Sequence, residues 1–162
     1  MLHHPVPDQV EPGSLRPNLD YYGPRTAHGS SLSPAITASL LARAGRPDEA
    51  LAMLRMALAL DLDDLTGMTG AGLHMADLGG VWQAVTVGMA GVRVRAGVLT
   101  VDPRLPGAWD GLQLRFCCLG RTVRLDITHD RTEISADAPL AVALSGQSPR
   151  TVTGTATLRA AG

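Results

Sequence analysis

A chain of 162 residues, 45% of them hydrophobic, suits one domain or a small domain joined to part of another. Its formal net charge of -1 excludes a polycationic nucleic-acid binder. Aromatic residues make up only 3%, so the core must be built from Leu, Val, Ala and Met. The two cysteines, Cys117 and Cys118, are adjacent and allow no disulfide framework, which suits a reducing cytoplasm. No apolar run approaches the ~20 residues of a membrane span. The opening MLHHPVPDQVEPG carries no apolar stretch of signal-peptide type. The expectation is a cytoplasmic protein with neither nucleic acid nor membrane as partner.

In chain order, residues 1–20 are rich in Pro and polar residues and read as an irregular lead. Ser33-Pro34 reads as an N-cap followed by proline at the first helical position. Ile36, Leu40, Leu41 and Ala44 then recur at helical spacing up to Gly45, a good stop. Pro47-Asp48-Glu49 opens a second helix, acids in its first turn, with a stripe of Leu51, Leu54, Leu58 and Ala59. The pattern predicts a helical hairpin, Ser33–Gly45 and Pro47–Leu60. A third helical stretch, Ala71–Leu78, leads to a fourth, Val81–Met89, across Gly79-Gly80. After Gly91 the period changes to two. VRVR, VLTV, LQLRFCCL, RTVRLDIT, TEISA, LAVAL and TVTGTATL read as strands of a small antiparallel sandwich or barrel. Charge divides at the same place: residues 1–91 carry 5 Arg and 9 acids, residues 92–162 carry 9 Arg and 6 acids. The expected organisation is a lead over 1–20, helices over 21–91 and a β-domain over 92–162.

Two places could carry chemistry. In His28-Gly29-Ser30-Ser31-Leu32-Ser33-Pro34, a glycine and hydroxyls precede a helix N-terminus, where free backbone N–H groups and the positive dipole end suit an anion. Serine hydroxyls can donate to phosphate oxygens, and His28 or Arg25 can add charge. The plainer reading is a helix cap and an ordinary turn. In Gly72-Leu73-His74-Met75-Ala76, a histidine stands between apolar residues; it is either a structural histidine or a ligand. Asp61-Leu62-Asp63-Asp64 fails the calcium-loop pattern, because Thr66 stands where glycine is needed and Gly72 where the bidentate Glu belongs. These acids read as a helix end, and no metal site is expected. Cys117 and Cys118 fall in a strand and should face opposite ways.

YYGPRTAHGSSLSP (Tyr21 to Pro34), DLDDLTGMTGAGLHMADLGGVWQAVTVGMAG (Asp61 to Gly91) and GVRVRAGVLTVDPRLPGAWDGLQLRF (Gly91 to Phe116) occur in an order that resembles the closing part of glycoside hydrolase family 65. That family contains maltose, trehalose and kojibiose phosphorylases, and the resemblance covers roughly residues 18–128. It implies an α+β architecture: the last helices of an (α/α) six-hairpin barrel followed by a small antiparallel β-sandwich domain. It implies phosphate-binding roles for Ser30, Ser31 and His74, with Arg25 and His28 as possible support. It places Trp82 in the core or wall of the barrel and makes Arg104 and Trp109 structural.

The parent reaction implied is inverting phosphorolysis of an α-glucosidic disaccharide to β-glucose 1-phosphate, with sugar and phosphate as partners. Inorganic phosphate is a co-substrate and no cofactor is expected. A glutamic acid in a Gly-Pro-Asp-Glu-Tyr context protonates the leaving oxygen, and phosphate replaces the activated water. None of Glu11, Glu49 and Glu133 has that context. No catalytic residue is therefore expected in this chain, and its start is expected to fall inside a normal family member. The alternatives are a non-catalytic remnant or a glycan- or partner-binding β-module, and a relative of trehalose hydrolases. Helical stripes without their barrel neighbours imply self-association or a missing N-terminal part.

Overall fold

The computed structural model describes residues 2–158. Met1 of the expected lead and residues 159–162 of the expected β-domain lie outside the described residues. The chain forms two compact units, Met1–Gly88 and Met89–Gly162.

The first unit is helical. The lead is not irregular throughout: Leu15–Tyr22 is an α-helix, α1. It is tied down by polar contacts that composition does not show. Arg16 Nε donates to the Ala44 carbonyl at 2.8 Å, occupying an acceptor that the end of the next helix leaves open. Asp20 accepts from Arg46 at 2.8 Å.

Helix α2, Leu32–Arg43, and helix α3, Pro47–Leu62, form the expected hairpin. Gly45 lies between them in the left-handed region at φ 77°, which costs least without a Cβ. Pro47 sits at the first position of α3, with Asp48 and Glu49 in its first turn. Arg46 grips Glu49 at 2.6 and 2.5 Å. The stripes, expected to lack cover without their barrel neighbours, are largely buried: Leu40, Leu41, Leu51 and Leu54 are buried, with Ala35, Ala38, Ala42, Ala50 and Ala57 between them.

Helix α4, Met75–Gln83, runs straight through Gly79-Gly80, where the sequence suggests a break. It continues as a π-helical turn over Ala84–Met89. The reason is packing against α2. A Cβ on Gly80 would stand 2.8 Å from the Ala35 Cβ, and one on Gly88 would stand 2.9 Å from the Ser39 Cα. Both glycines permit close approach of two backbones. Trp82, expected in the core or wall of the barrel, is 51% exposed in this chain.

The second unit is a curled mixed sheet of six strands: β1 Arg93–Arg95, β2 Val98–Val101, β3 Leu112–Cys118, β4 Arg121–Ile127, β5 Thr132–Leu144 and β6 Arg150–Leu158. Tight turns at Ala96-Gly97 and Leu119-Gly120, with positive φ at both residues of each, join β1 to β2 and β3 to β4. The segments TEISA and LAVAL are one strand, β5. Asp137-Ala138-Pro139 between them marks a register shift and not an end. Strand β5 is the hub: residues 132–136 pair with β4, β6 runs along it, and Val142–Leu144 pair with β2. That last pairing is parallel, whereas the other four among the described residues are antiparallel. Leu99, Val101, Val123, Leu125, Ile127, Ile134 and Val142 form the core, and Cys118 is buried while Cys117 is exposed.

Candidate functional site

Each sequence-predicted residue can be located. Ser31 occupies the N-cap position of α2, but its side chain makes no capping bond. Ser33, expected as the cap, lies inside the first turn and is buried; its hydroxyl is 2.9 Å from His28 Nδ1. The Ser33 N–H donates to the Ser30 carbonyl at 3.0 Å. The Ser31 hydroxyl thus stands where a cap would be recruited without capping the helix. The first turn of a 12-residue helix also leaves backbone N–H groups without intrahelical acceptors. Hydroxyls, N–H groups and a positive dipole end come together there.

The two candidate supports are occupied elsewhere. The Arg25 guanidinium lies 4.1 Å above the Tyr21 ring, and its Nη1 donates to the Tyr21 carbonyl. His28, in the left-handed region at φ 50°, is held by Ser33. It lines a cavity of about 110 Å³ with His3, Asn18, Tyr22, Thr26 and Ser33; Ser30, Ser31 and His74 do not line it.

His74 is the N-cap of α4 and is partly buried, its side chain 24% exposed. It is gripped by Asp61, from the last turn of α3. One Asp61 oxygen lies 2.7 Å from His74 Nδ1, and the other accepts the His74 backbone N–H at 2.9 Å. The hydrogen bond from His74 holds the Asp61 carboxyl below the usual carboxylate range. Asp64, from the same acidic run, accepts from the Thr69 N–H at 2.9 Å and from its hydroxyl at 2.6 Å. Asp61 was not visible as a functional residue in the sequence, where it reads as a helix-ending acid thirteen positions before the histidine.

Asp77, in the first turn of α4, was missed as well. It is 1% exposed, and neither carboxylate oxygen has a hydrogen-bond partner. Burial first, and repulsion from Asp61 second, push its carboxyl above the usual range. Two carboxyls near one imidazole are thus driven apart, Asp61 toward the ionised form and Asp77 toward the neutral form.

The two candidate segments share one end of the helical unit. Gly80 lies against Ala35 and Gly88 against Ser39, so contacts advance in the same sense along both segments. Ser31 precedes the Ala35 crossing by four residues, and His74 precedes the Gly80 crossing by six. At ~1.5 Å per residue that is about 6 Å and about 9 Å of helix on the same side. The N-termini of α2 and α4 thus open toward one end.

Comparison with known proteins bears on this arrangement. Residues 1–83 match the glycosyl hydrolase family 65 central catalytic domain, and residues 92–150 match the family's C-terminal domain. A kojibiose phosphorylase of Halothermothrix orenii is 42% identical over 118 residues, covering 73% of this chain and 15% of that protein. An α,α-trehalose phosphorylase of Thermoanaerobacter brockii is 39% identical over 116 residues, covering 72% of this chain and 15% of that protein. A solved structure of a candidate kojibiose phosphorylase from the human microbiome superposes with a TM-score of 0.88 at 23% identity, covering 99% of this chain and 24% of that one. Both matched segments fall in one class of enzymes, the glycosyl hydrolases. Within that class the chain belongs to family 65. It spans about 15% of the length of the curated relatives named above.

Proposed function

We propose that this chain supplies part of the phosphate site of an inverting phosphorylase acting on an α-glucosidic disaccharide, with inorganic phosphate as co-substrate and β-glucose 1-phosphate as product. Phosphate attacks the anomeric carbon from the face opposite the leaving sugar, and a carboxylic acid protonates the departing oxygen. Ser30 and Ser31 donate hydroxyl and backbone hydrogen bonds to the phosphate oxygens, and His74 supplies a ring N–H. Arg25 and His28 support the loop from outside, through Tyr21 and Ser33. The relatives named as phosphorylases support the reaction class.

What supports the reading is that the start of α2, where Ser31 makes no side-chain capping bond, and the start of α4 at His74 both precede the Ala35–Gly80 and Ser39–Gly88 contacts. The proton transfer does not come from these residues. Glu49 is engaged by Arg46, and Glu133 lies in the sheet. Asp77 has a raised carboxyl but is sealed from any sugar by its burial.

Calorimetric titration with sulfate tests the reading, since sulfate keeps its charge across the relevant pH range. Binding should be weak, and stronger when the His74 imidazole is protonated. His74→Ala should abolish that gain. Ser30→Ala combined with Ser31→Ala should weaken binding by roughly tenfold or more, the value of one or two hydrogen bonds. Sulfate affinity untouched by all three changes would exclude the site.

A further inference from the structure

We infer that Asp61 is a positioning residue for His74: its carboxylate holds both the Nδ1 and the backbone N–H of His74, fixing the ring so that Nε2 faces outward and, when the ring carries both protons, donates its N–H to an oxyanion. The inference rests on the phosphate-site reading for the identity of that oxyanion, but the grip itself stands on geometry. The two bonds, at 2.7 and 2.9 Å, use one carboxylate oxygen each. An ionised carboxylate only accepts, so the proton between Asp61 and the ring belongs to Nδ1. A hydrogen bond at one ring nitrogen sets the role of the other. Nε2 makes no hydrogen bond among the described residues, and the side chain is 24% exposed, so that nitrogen is available.

The same grip links two elements. Asp61 lies in the last turn of α3 and His74 caps the start of α4, with an exposed stretch from Asp63 to Leu73 between them. Without Asp61 the ring would be placed only by the end of that exposed stretch. The titratable groups that act on this pair are Asp64, from the connecting stretch, and Asp77, from α4. Asp64 is committed to Thr69. Burial favours the proton on Asp77, which leaves Asp61 as the ionised partner of the imidazole. Asp61 touches no substrate in this scheme and acts through His74.

The test uses the full 162-residue chain, labelled with ¹⁵N at the histidine rings, with long-range proton–nitrogen spectra recorded above the imidazole titration. The expected spectrum shows His74 protonated at Nδ1. Asp61→Ala should shift the neutral ring toward the Nε2–H tautomer, and with the ring doubly protonated it should weaken sulfate binding by about tenfold, the value of one hydrogen bond, because the ring is no longer held in place. Asp61→Asn keeps the shape and lacks the charge. It serves where the alanine variant melts early, and it should give the same direction with a smaller change. A His74 tautomer indifferent to both variants overturns the role of Asp61, whatever the anion does. A wild-type chain that binds no sulfate while its tautomer still responds to Asp61 overturns the phosphate reading, and the oxyanion half of this inference with it.

Discussion

Asp77 sets a charge against burial, and the sign of its effect on stability can be worked out. Its carboxyl is raised in the folded chain, so the folded state holds a proton that the unfolded state releases. Stability contributed by this group therefore falls as pH rises above the unfolded carboxylate value, about 3.9. Asp77→Asn removes the ionisation and keeps the shape. It should stabilise the chain at pH 8, because a buried carboxyl no longer has to ionise, and the gain should shrink toward pH 4. Thermal melts at the two pH values check this; an equal effect at both would show that charge is not the cause. At this scale the sequence indicates which residue types cluster but not how they couple. The loop His28 to Ser33 and the histidine at position 74 stand out in the sequence. The pairings Asp61–His74 and His28–Ser33, which decide what the histidines can do, depend on how the chain folds back. Arg25 illustrates the same point, since its guanidinium is taken up by Tyr21, four residues earlier.

Adjacent glycines in α4 make opposite predictions. Gly79 has open space where a Cβ would go, so Gly79→Ala should stabilise the helix by roughly 0.5–1 kcal/mol through backbone entropy and helix propensity. Gly80→Ala would drive a methyl group to 2.8 Å from the Ala35 Cβ, and should destabilise by about 1–3 kcal/mol. Chemical denaturation of the two variants beside wild type tests the packing of α4 on α2; destabilisation of equal size in both would contradict it. This pair also shows where element-level reading ends. The α2–α3 hairpin is legible because apolar spacing, Pro47 and Gly45 agree. The helix through Gly79-Gly80 is not, because two glycines read as a break unless the neighbour that needs them is known. In the β unit, alternation marks the strands. The fusion of TEISA and LAVAL is hidden, since Asp-Ala-Pro has the composition of a turn and here forms an irregularity inside β5. The parallel pairing of β2 with β5 leaves no mark on the alternation either.

For the whole chain, exposed apolar surface is concentrated away from the helical stripes. Those stripes bury within the hairpin, whereas Leu62, Leu65, Met68, Leu73, Met75 and Trp82 are more than half exposed. Such side chains close together in sequence favour association when they form a continuous surface. The isolated chain should therefore scatter light above the monomer mass at micromolar concentration, and Leu62→Ser with Met75→Ser should lower that mass. A monodisperse monomer that melts cooperatively would contradict this.

The central claim, that an anion site joins the starts of α2 and α4, is tested most directly by mapping backbone amide shifts during a sulfate titration. The account predicts that the amides of Gly29 to Leu32 and those of His74 and Met75 move together along one saturable curve, while those of residues 92–158 stay still. Shifts confined to the arginine-bearing strands, or movement of one helix start without the other, would contradict it.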